Sequence, residues 1–209
     1  MFERIEAIKN KGYVPTHVFD IGAHHGTWTN AMRDIYPDAD YYMFEAIDYG
    51  ELAKFKRIPK THVFAGTLLN DKIEEVDWYE ERNTGDSFFK ELSIHFKDTQ
   101  PIKRMTTTLD VLDVAKDAKN IFMKIDCQGA EIPILKGAST LLSRTDFILA
   151  EIPLYGQYNE GVPTFLEHIQ FMESIGFIPF DICEQHYVNG YTMQVDMIFI
   201  NKNRQDKKI

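Results

Sequence analysis

Hydrophobic positions along this chain follow two rhythms, one helical and one strand-like, punctuated by glycine and proline. Residues 2 to 11 set Phe2, Ile5 and Ile8 on one face of a short helix capped by Gly12. Val18-Phe19-Asp20-Ile21 reads as a buried strand, because β-branched and aromatic residues dominate it. Helical spacing resumes at Thr27 with Trp28, Met32 and Ile35, and Pro37 stops it. Tyr41 to Phe44 is the second strand and His62 to Ala65 the third, with a short helix over 48–57 between them. Alternation over 73–82 predicts an extra hairpin strand, and Asn83 to Ser87 a turn-rich loop. Met105 to Thr108 is extended and Leu109 to Ala115 a brief helix.

Ile121 to Asp126 is the fourth strand, apolar except at Lys124, as a central parallel strand should be. It turns through Cys127-Gln128-Gly129 into a helix with Leu135, Ala138, Leu141 and Leu142 inward. Phe147 to Ala150 is the fifth strand, ending on Glu151. A helix over 164–175 follows, opened by Pro163 and closed by Gly176. Phe177 to Ile182 and Asp196 to Ile200 are close in sequence with no helix between them, so they should pair antiparallel. The expected architecture is α/β and Rossmann-like: a mostly parallel seven-stranded sheet, helices on both faces and an antiparallel final pair. It fills one domain over 1–209, with an N-terminal helix within 1–12 and a polar, frayed tail over 201–209.

The turn after the first strand narrows the chemistry. A dinucleotide fingerprint with its second glycine on Gly22 needs glycines at 20 and 25, where this chain has Asp20 and His25. Asp20 would also repel a pyrophosphate. A cationic, phosphate-free ligand such as S-adenosylmethionine removes that objection. Asp20-x-Gly22-x-x-x-Gly26 resembles motif I of the Rossmann-like methyltransferases, although an ordinary tight βα turn can look the same. Ala23 and His24 belong to this turn. Glu45 ends the second strand about 20 residues further on, where an acid accepts the ribose hydroxyls, the alternative being a surface carboxylate. Ala46 adjoins it, and Thr67 and Leu68 follow the third strand, where a loop lies beside the adenine. Asp20, Glu45, Asp126 and Glu151 put four acids around one crevice, which suits a cationic cofactor unless each is only a solvated strand end or helix cap.

A hydrophobic content of 44% with 13% aromatics is that of a globular protein. The net charge of -9 argues against nucleic acid as a partner. Cys127 and Cys183 are too few for a disulfide framework, so a reducing cytoplasm is expected. No apolar run reaches membrane-spanning length, and the N-terminus lacks a signal-peptide core.

Phe19-Asp20-Ile21-Gly22-Ala23-His24-His25-Gly26, then Thr108-Leu109-Asp110, then Met123-Lys124-Ile125-Asp126-Cys127-Gln128-Gly129-Ala130-Glu131-Ile132-Pro133-Ile134-Leu135-Lys136-Gly137-Ala138 together resemble the FkbM-type methyltransferases, from about Val18 to Asn201. The resemblance implies a class I methyltransferase fold, S-adenosylmethionine as donor and O-methylation of a sugar, glycan or small natural-product hydroxyl. His24 stands where the family often has Asn, and Gln128 where it often has Glu.

An alkyl hydroxyl is a poor nucleophile, so a base should take its proton during attack. Asp126 and Glu151 are the catalytic candidates; His24, His25 and His186 rank behind them. Asp126 could instead hold the cofactor's ammonium or cap the next helix. Ser87, Gln128 and Tyr155 are the candidate acceptor contacts, with Tyr158 on the same loop as Tyr155. No compact ligand motif such as H-E-x-x-H is present, and no metal is expected. Cys127 reads as packing rather than a nucleophile. An N-methyltransferase of protein or nucleic acid shares the cofactor half, but the base-methylating kind carries Asn/Asp-Pro-Pro-Tyr/Phe where this chain has Asp126-Cys127-Gln128-Gly129. A cofactor-binding module without catalysis is the other alternative. Homo-oligomerisation is compatible with the sequence, which carries no code for it.

Overall fold

The computed structural model describes residues 1–154 and 158–204. Its elements are α1 (Phe2–Asn10), β1 (His17–Ile21), α2 (Thr27–Ile35), β2 (Asp40–Glu45), a 3-10 helix (Glu51–Arg57), β3 (Thr61–Ala65), β4 (Glu75–Trp78), β5 (Ile102–Met105), α3 (Leu109–Leu112), β6 (Ile121–Ile125), α4 (Glu131–Lys136), α5 (Ser139–Leu142), β7 (Thr145–Pro153), α6 (Phe165–Ser174), β8 (Phe177–Val188) and β9 (Tyr191–Asn201). Seven strands form one sheet in the order β3-β2-β1-β6-β7-β9-β8, and β4 and β5 form a second. The first five strands of the large sheet are parallel, and β9 runs antiparallel between β7 and β8.

β1 and β6 are buried at every position because both faces of the sheet are covered. The two-residue period sorts their side chains. Phe19, Ile21, Met123 and Ile125 enter one core with Tyr42 and Phe44. Val18 and Phe122 enter the other, packed with Ile5 and Ile8 of α1 and Met32 and Ile35 of α2. Stacked rings at Phe19–Tyr42 (4.9 Å between centroids) and Phe44–Phe64 (4.5 Å) tie β1, β2 and β3 together across the first face.

Several elements differ from the expectation. The helix over 48–57 is a 3-10 helix. The helix after Gln128 is divided at Gly137 into α4 and α5, and a side chain at 137 would run into the backbone of Asn70. Within 73–82, β4 pairs antiparallel with the distant β5, and the local hairpin is reduced to one antiparallel bridge from Tyr79 to Ser87 across the loop over 83–87. The final strands run on to Val188 and back from Tyr191, through a turn in which Asn189 (φ 51°) and Gly190 (φ 83°) are both left-handed. Asn201 is no tail residue: it ends β9, is buried, and donates Nδ2 to Thr145 O at 2.9 Å.

From β1 the chain moves outward to β2 and β3, and β6 pairs on the opposite side of β1. The carboxyl ends of β1, β2 and β6 therefore frame the switch-point crevice of an open α/β sheet.

Candidate active site

At the end of β1, Gly22 has φ 78°, and a Cβ there would run into the carbonyl oxygen of Asp126. Only glycine lets the turns after β1 and β6 approach so closely. Gly26, the N-cap of α2, also has φ 78°, and its bare Cα receives the Phe55 ring. His24 is left-handed (φ 46°). Its ring lies 3.8 Å from that of His25, and both meet the edge of Tyr49. Burial, then His25, holds the His24 imidazole below its ordinary pKa, which favours the neutral form.

A buried cation sits beneath the two turns. Lys124 Nζ donates to Gly22 O at 2.8 Å and lies 3.3 Å from Asp20 Oδ1 and 3.4 Å from Asp126 Oδ2. Burial pulls the ammonium pKa down, but Asp126 and Asp20 outweigh it and carry the pKa above its ordinary value. Asp20 is 1% exposed and accepts from Thr29 Oγ1 at 2.6 Å, tying β1 to α2. Burial raises its pKa while Lys124 opposes that.

Glu45 ends β2 with both oxygens engaged: Oε2 accepts from His24 N at 2.7 Å and Oε1 from Ile47 N at 3.0 Å. Burial raises its pKa, and the two backbone donors pull the other way. Glu131 at the start of α4 holds the turn after β6, its Oε1 accepting from Cys127 N at 2.8 Å and Gly129 N at 3.3 Å. Burial pushes its carboxyl up to about 7.

These turns enclose a cleft of about 250 Å³. Gly22, Ala23 and His24 form its floor with Glu45, Ala46, Asp126 and Gln128. Thr67, Leu68, Trp78 and Phe88 form an apolar wall. The β4–β5 sheet is clamped over this wall by Arg104, which stacks on Trp78 (5.2 Å) and donates to Ala46 O at 2.7 Å.

A second cavity of about 230 Å³ lies beyond Asp126, lined by Lys124, Glu151, Glu184, His186 and Asp196 among others. Lys124 and Asp126 line both spaces. Gln128 Nε2 bridges them, donating to Asp126 Oδ1 at 3.2 Å and to Glu151 Oε2 at 3.0 Å. Gln194 Nε2 also donates to Glu151 Oε2, at 2.9 Å. Burial, then Asp126, raises the Glu151 pKa well above the usual carboxylate range.

Compared with known proteins, residues 20–179 match the Methyltransferase FkbM domain. The chain belongs to the FkbM methyltransferase family. Among curated proteins none matches this sequence. Its fold is that of the FkbM methyltransferase from Methylobacillus flagellatus (TM-score 0.54, 14% identity, 88% of this chain covered), of whose length it spans 43%. It is also that of a magnesium protoporphyrin IX methyltransferase from Synechocystis with bound S-adenosylhomocysteine (TM-score 0.51, 8% identity, 95% of this chain and 81% of the other). At such identities the likeness speaks for the fold alone. Among the described residues no helix is long and apolar enough to cross a membrane.

The donor of this family is S-adenosylmethionine, and the cleft of this FkbM-family chain fits it chemically. Glu45, Asp86 and Asp126 line the cleft, and Lys124 is the sole Lys or Arg among the described lining residues. Its charge is already matched by Asp20, Asp126 and Gly22 O, so a sulfonium meets no free cation and a phosphate would find none.

Of the residues singled out from sequence, Gly22, Ala23, His24, Glu45, Ala46, Thr67, Leu68, Asp126 and Gln128 line the cleft. Asp20 and Gly26 do not: one is sealed against Lys124 and Thr29, the other against Phe55. Glu151 lines the second cavity instead. Ser87 is 1% exposed and its hydroxyl accepts from Phe89 N at 3.1 Å, so it braces a loop whose neighbours Asp86 and Phe88 reach the cleft. Tyr155 lies outside the described residues. Tyr158 lines neither cavity, and its carbonyl accepts from Leu92 N. Lys124, Tyr49, Trp78 and Asp196 were not candidates from sequence. A lone lysine inside an apolar strand was the one available signal, since a buried ammonium needs anionic partners.

Proposed function

We propose that this methyltransferase acts on a hydroxyl of a small molecule, with a sugar or glycan as the acceptor class. The position of Asp126 in the wall between the two cavities carries this reading, because a group there faces donor and acceptor at once. S-adenosylmethionine, when bound, supplies an electrophilic methyl group on its sulfonium. Glu45 is held rigid by His24 N and Ile47 N and retains lone pairs for the ribose hydroxyls. Ala46, Thr67, Leu68 and Trp78 make the slot for the adenine. Asp126 and Glu151, spanned by Gln128, form an acidic pair in which Glu151 helps to orient the acceptor hydroxyl and Asp126 takes its proton. The two cysteines are free, which accords with a reducing compartment.

The test is Asp126→Asn, assayed with labelled donor across a panel of sugars and hydroxylated small molecules. We expect a loss of turnover of about 10²–10⁴-fold, with S-adenosylhomocysteine still bound in calorimetry. If the unaltered protein binds S-adenosylhomocysteine but methylates no hydroxyl acceptor in the panel, the O-methyltransferase reading fails. Turnover of amine acceptors would then support N-methylation, and its absence a binding module.

A further inference from the structure

The second cavity holds a side-chain set that methyl transfer from S-adenosylmethionine does not itself require. Glu151 on β7 and Asp196 on β9 are direct cross-strand partners. Two carboxylates facing each other across antiparallel strands repel, and such pairs are destabilising. His186 on β8 turns toward the same point, with Nε2 2.9 Å from Asp196 Oδ2. One donor atom from each of the three lies within 4.8 Å of the others. Asp196 is 6% exposed. The Glu151 carboxylate is oriented by amide donors from Gln128 and Gln194 on Oε2.

We propose that Glu151, His186 and Asp196 form a divalent-cation site beside the acceptor position. Ligands bonded to one ion at about 2.1 Å stand about 3 Å apart when adjacent and about 4.2 Å apart when opposite. The His186–Asp196 separation is already that of adjacent ligands, and Glu151 stands within 4.8 Å of both, so a rotation of its side chain brings it into range. An imidazole with two carboxylates suits Mn²⁺, Fe²⁺ or Zn²⁺ better than Ca²⁺. Three protein ligands leave positions for the acceptor, and the cavity of about 230 Å³ leaves room for it. The acceptor class then becomes one offering two neighbouring oxygens, such as a vicinal diol. A hydroxyl bound to the ion is acidified. Its proton passes to the Asp126 carboxylate as its oxygen forms the new C–O bond and the donor's C–S bond breaks. This assigns Glu151 to the ion and leaves Asp126 as proton acceptor. It replaces the metal-free expectation from sequence, which had no compact motif because the ligands come from three strands.

The role in turnover rests on the proposed O-methyl transfer, but the ion site is tested without turnover. Metal-stripped protein is titrated with Mn²⁺ and free ion is read by electron paramagnetic resonance. S-adenosylhomocysteine binding is measured by calorimetry on the same samples. We expect one Mn²⁺ per chain, with bound ion falling about tenfold or more in His186→Ala and in Asp196→Asn and unchanged in the distant Glu173→Gln. S-adenosylhomocysteine binding should persist in all three, which certifies the fold. Absence of bound Mn²⁺ in protein that binds S-adenosylhomocysteine overturns the ion site and leaves the methyltransferase reading standing, His186 then being a hydrogen-bond partner of Asp196 only. Equal binding in all variants overturns it as well. Site-dependent Mn²⁺ binding without S-adenosylhomocysteine binding supports the ion site and breaks the cofactor reading instead.

Discussion

The cleft at the ends of β1, β2 and β6 is made mainly of backbone turns, whereas the cavity beside it is made mainly of side chains on paired strands. In the first, Gly22, His24, Gly26, Gln128 and Gly129 all have positive φ, and the turns are locked by Lys124, Glu45 and Glu131. In the second, β9 pairs antiparallel with β7 and, through three register shifts of which one adjoins His186, with β8; Glu151 and Asp196 face each other by register and His186 reaches Asp196 from the neighbouring strand. The difference teaches where change is tolerated. Turns that approach to within van der Waals contact admit few substitutions. Side chains on a strand near the sheet edge can be exchanged without moving the backbone, so the acceptor can vary while the donor stays fixed.

Substitution of Gly22 tests that contrast hardest. Gly22→Ala puts a methyl group into Asp126 O at a left-handed φ, so the turns after β1 and β6 must part. We expect a destabilisation of about 3 kcal/mol or more in urea unfolding, with S-adenosylhomocysteine binding lost. Binding within about threefold of the unaltered protein would show that the closeness of the turns is not what shapes the cleft. Lys124→Met comes next. It leaves Asp20 buried opposite Asp126 with no cation between them, a change that costs about 3–5 kcal/mol when one partner of a buried ion pair is removed. Adding Asp20→Asn to it should recover part of that loss, and a double variant no more stable than the single would refute the pairing.

Glu131 sharpens the comparison through pH. Its folded pKa of about 7 lies above the ordinary 4.5 because of burial, so folding favours the protonated form. The stability it contributes is complete below pH 4.5 and is lost as pH rises through about 7. Over that window the loss amounts to about 3 kcal/mol. Glu131→Gln keeps an acceptor for Cys127 N and Gly129 N but cannot ionise. The difference in unfolding free energy between the two proteins should therefore shift toward the Gln variant between pH 5 and pH 8. A pH-independent difference would place the Glu131 carboxyl in contact with water.

The uneven legibility of the chain follows from the same contrast. The turn around Gly22 and the acid at Glu45 could be read because their residues are neighbours in sequence and follow a strand at fixed spacing. Asp20 could be found but not correctly used: its carboxylate looks like a ligand for a cationic cofactor until Lys124, far along the chain, is seen to take it. The antiparallel final pair was legible, yet its length was not, although Val188-Asn189-Gly190-Tyr191 holds the Asn-Gly signal of a two-residue hairpin. Ending those strands early hid the register that brings His186 and Asp196 to Glu151. The β4–β5 pairing had no local signal at all, because the segments are joined by a long loop and held by Arg104 on Trp78.

That same hairpin supplies the mildest substitution and the cleanest control for the first. Gly190 has φ 83°, close to the value at Gly22, but a Cβ there would meet nothing within 4 Å. Gly190→Ala therefore carries the conformational cost of a left-handed alanine and no steric one. We expect a loss of about 1 kcal/mol in urea unfolding and unchanged S-adenosylhomocysteine affinity. With φ nearly the same at both glycines, the gap between the two substitutions reports mainly on the contact with Asp126 O. If Gly190→Ala proved as damaging as Gly22→Ala, backbone conformation and not close approach would be the property that glycine supplies in both turns.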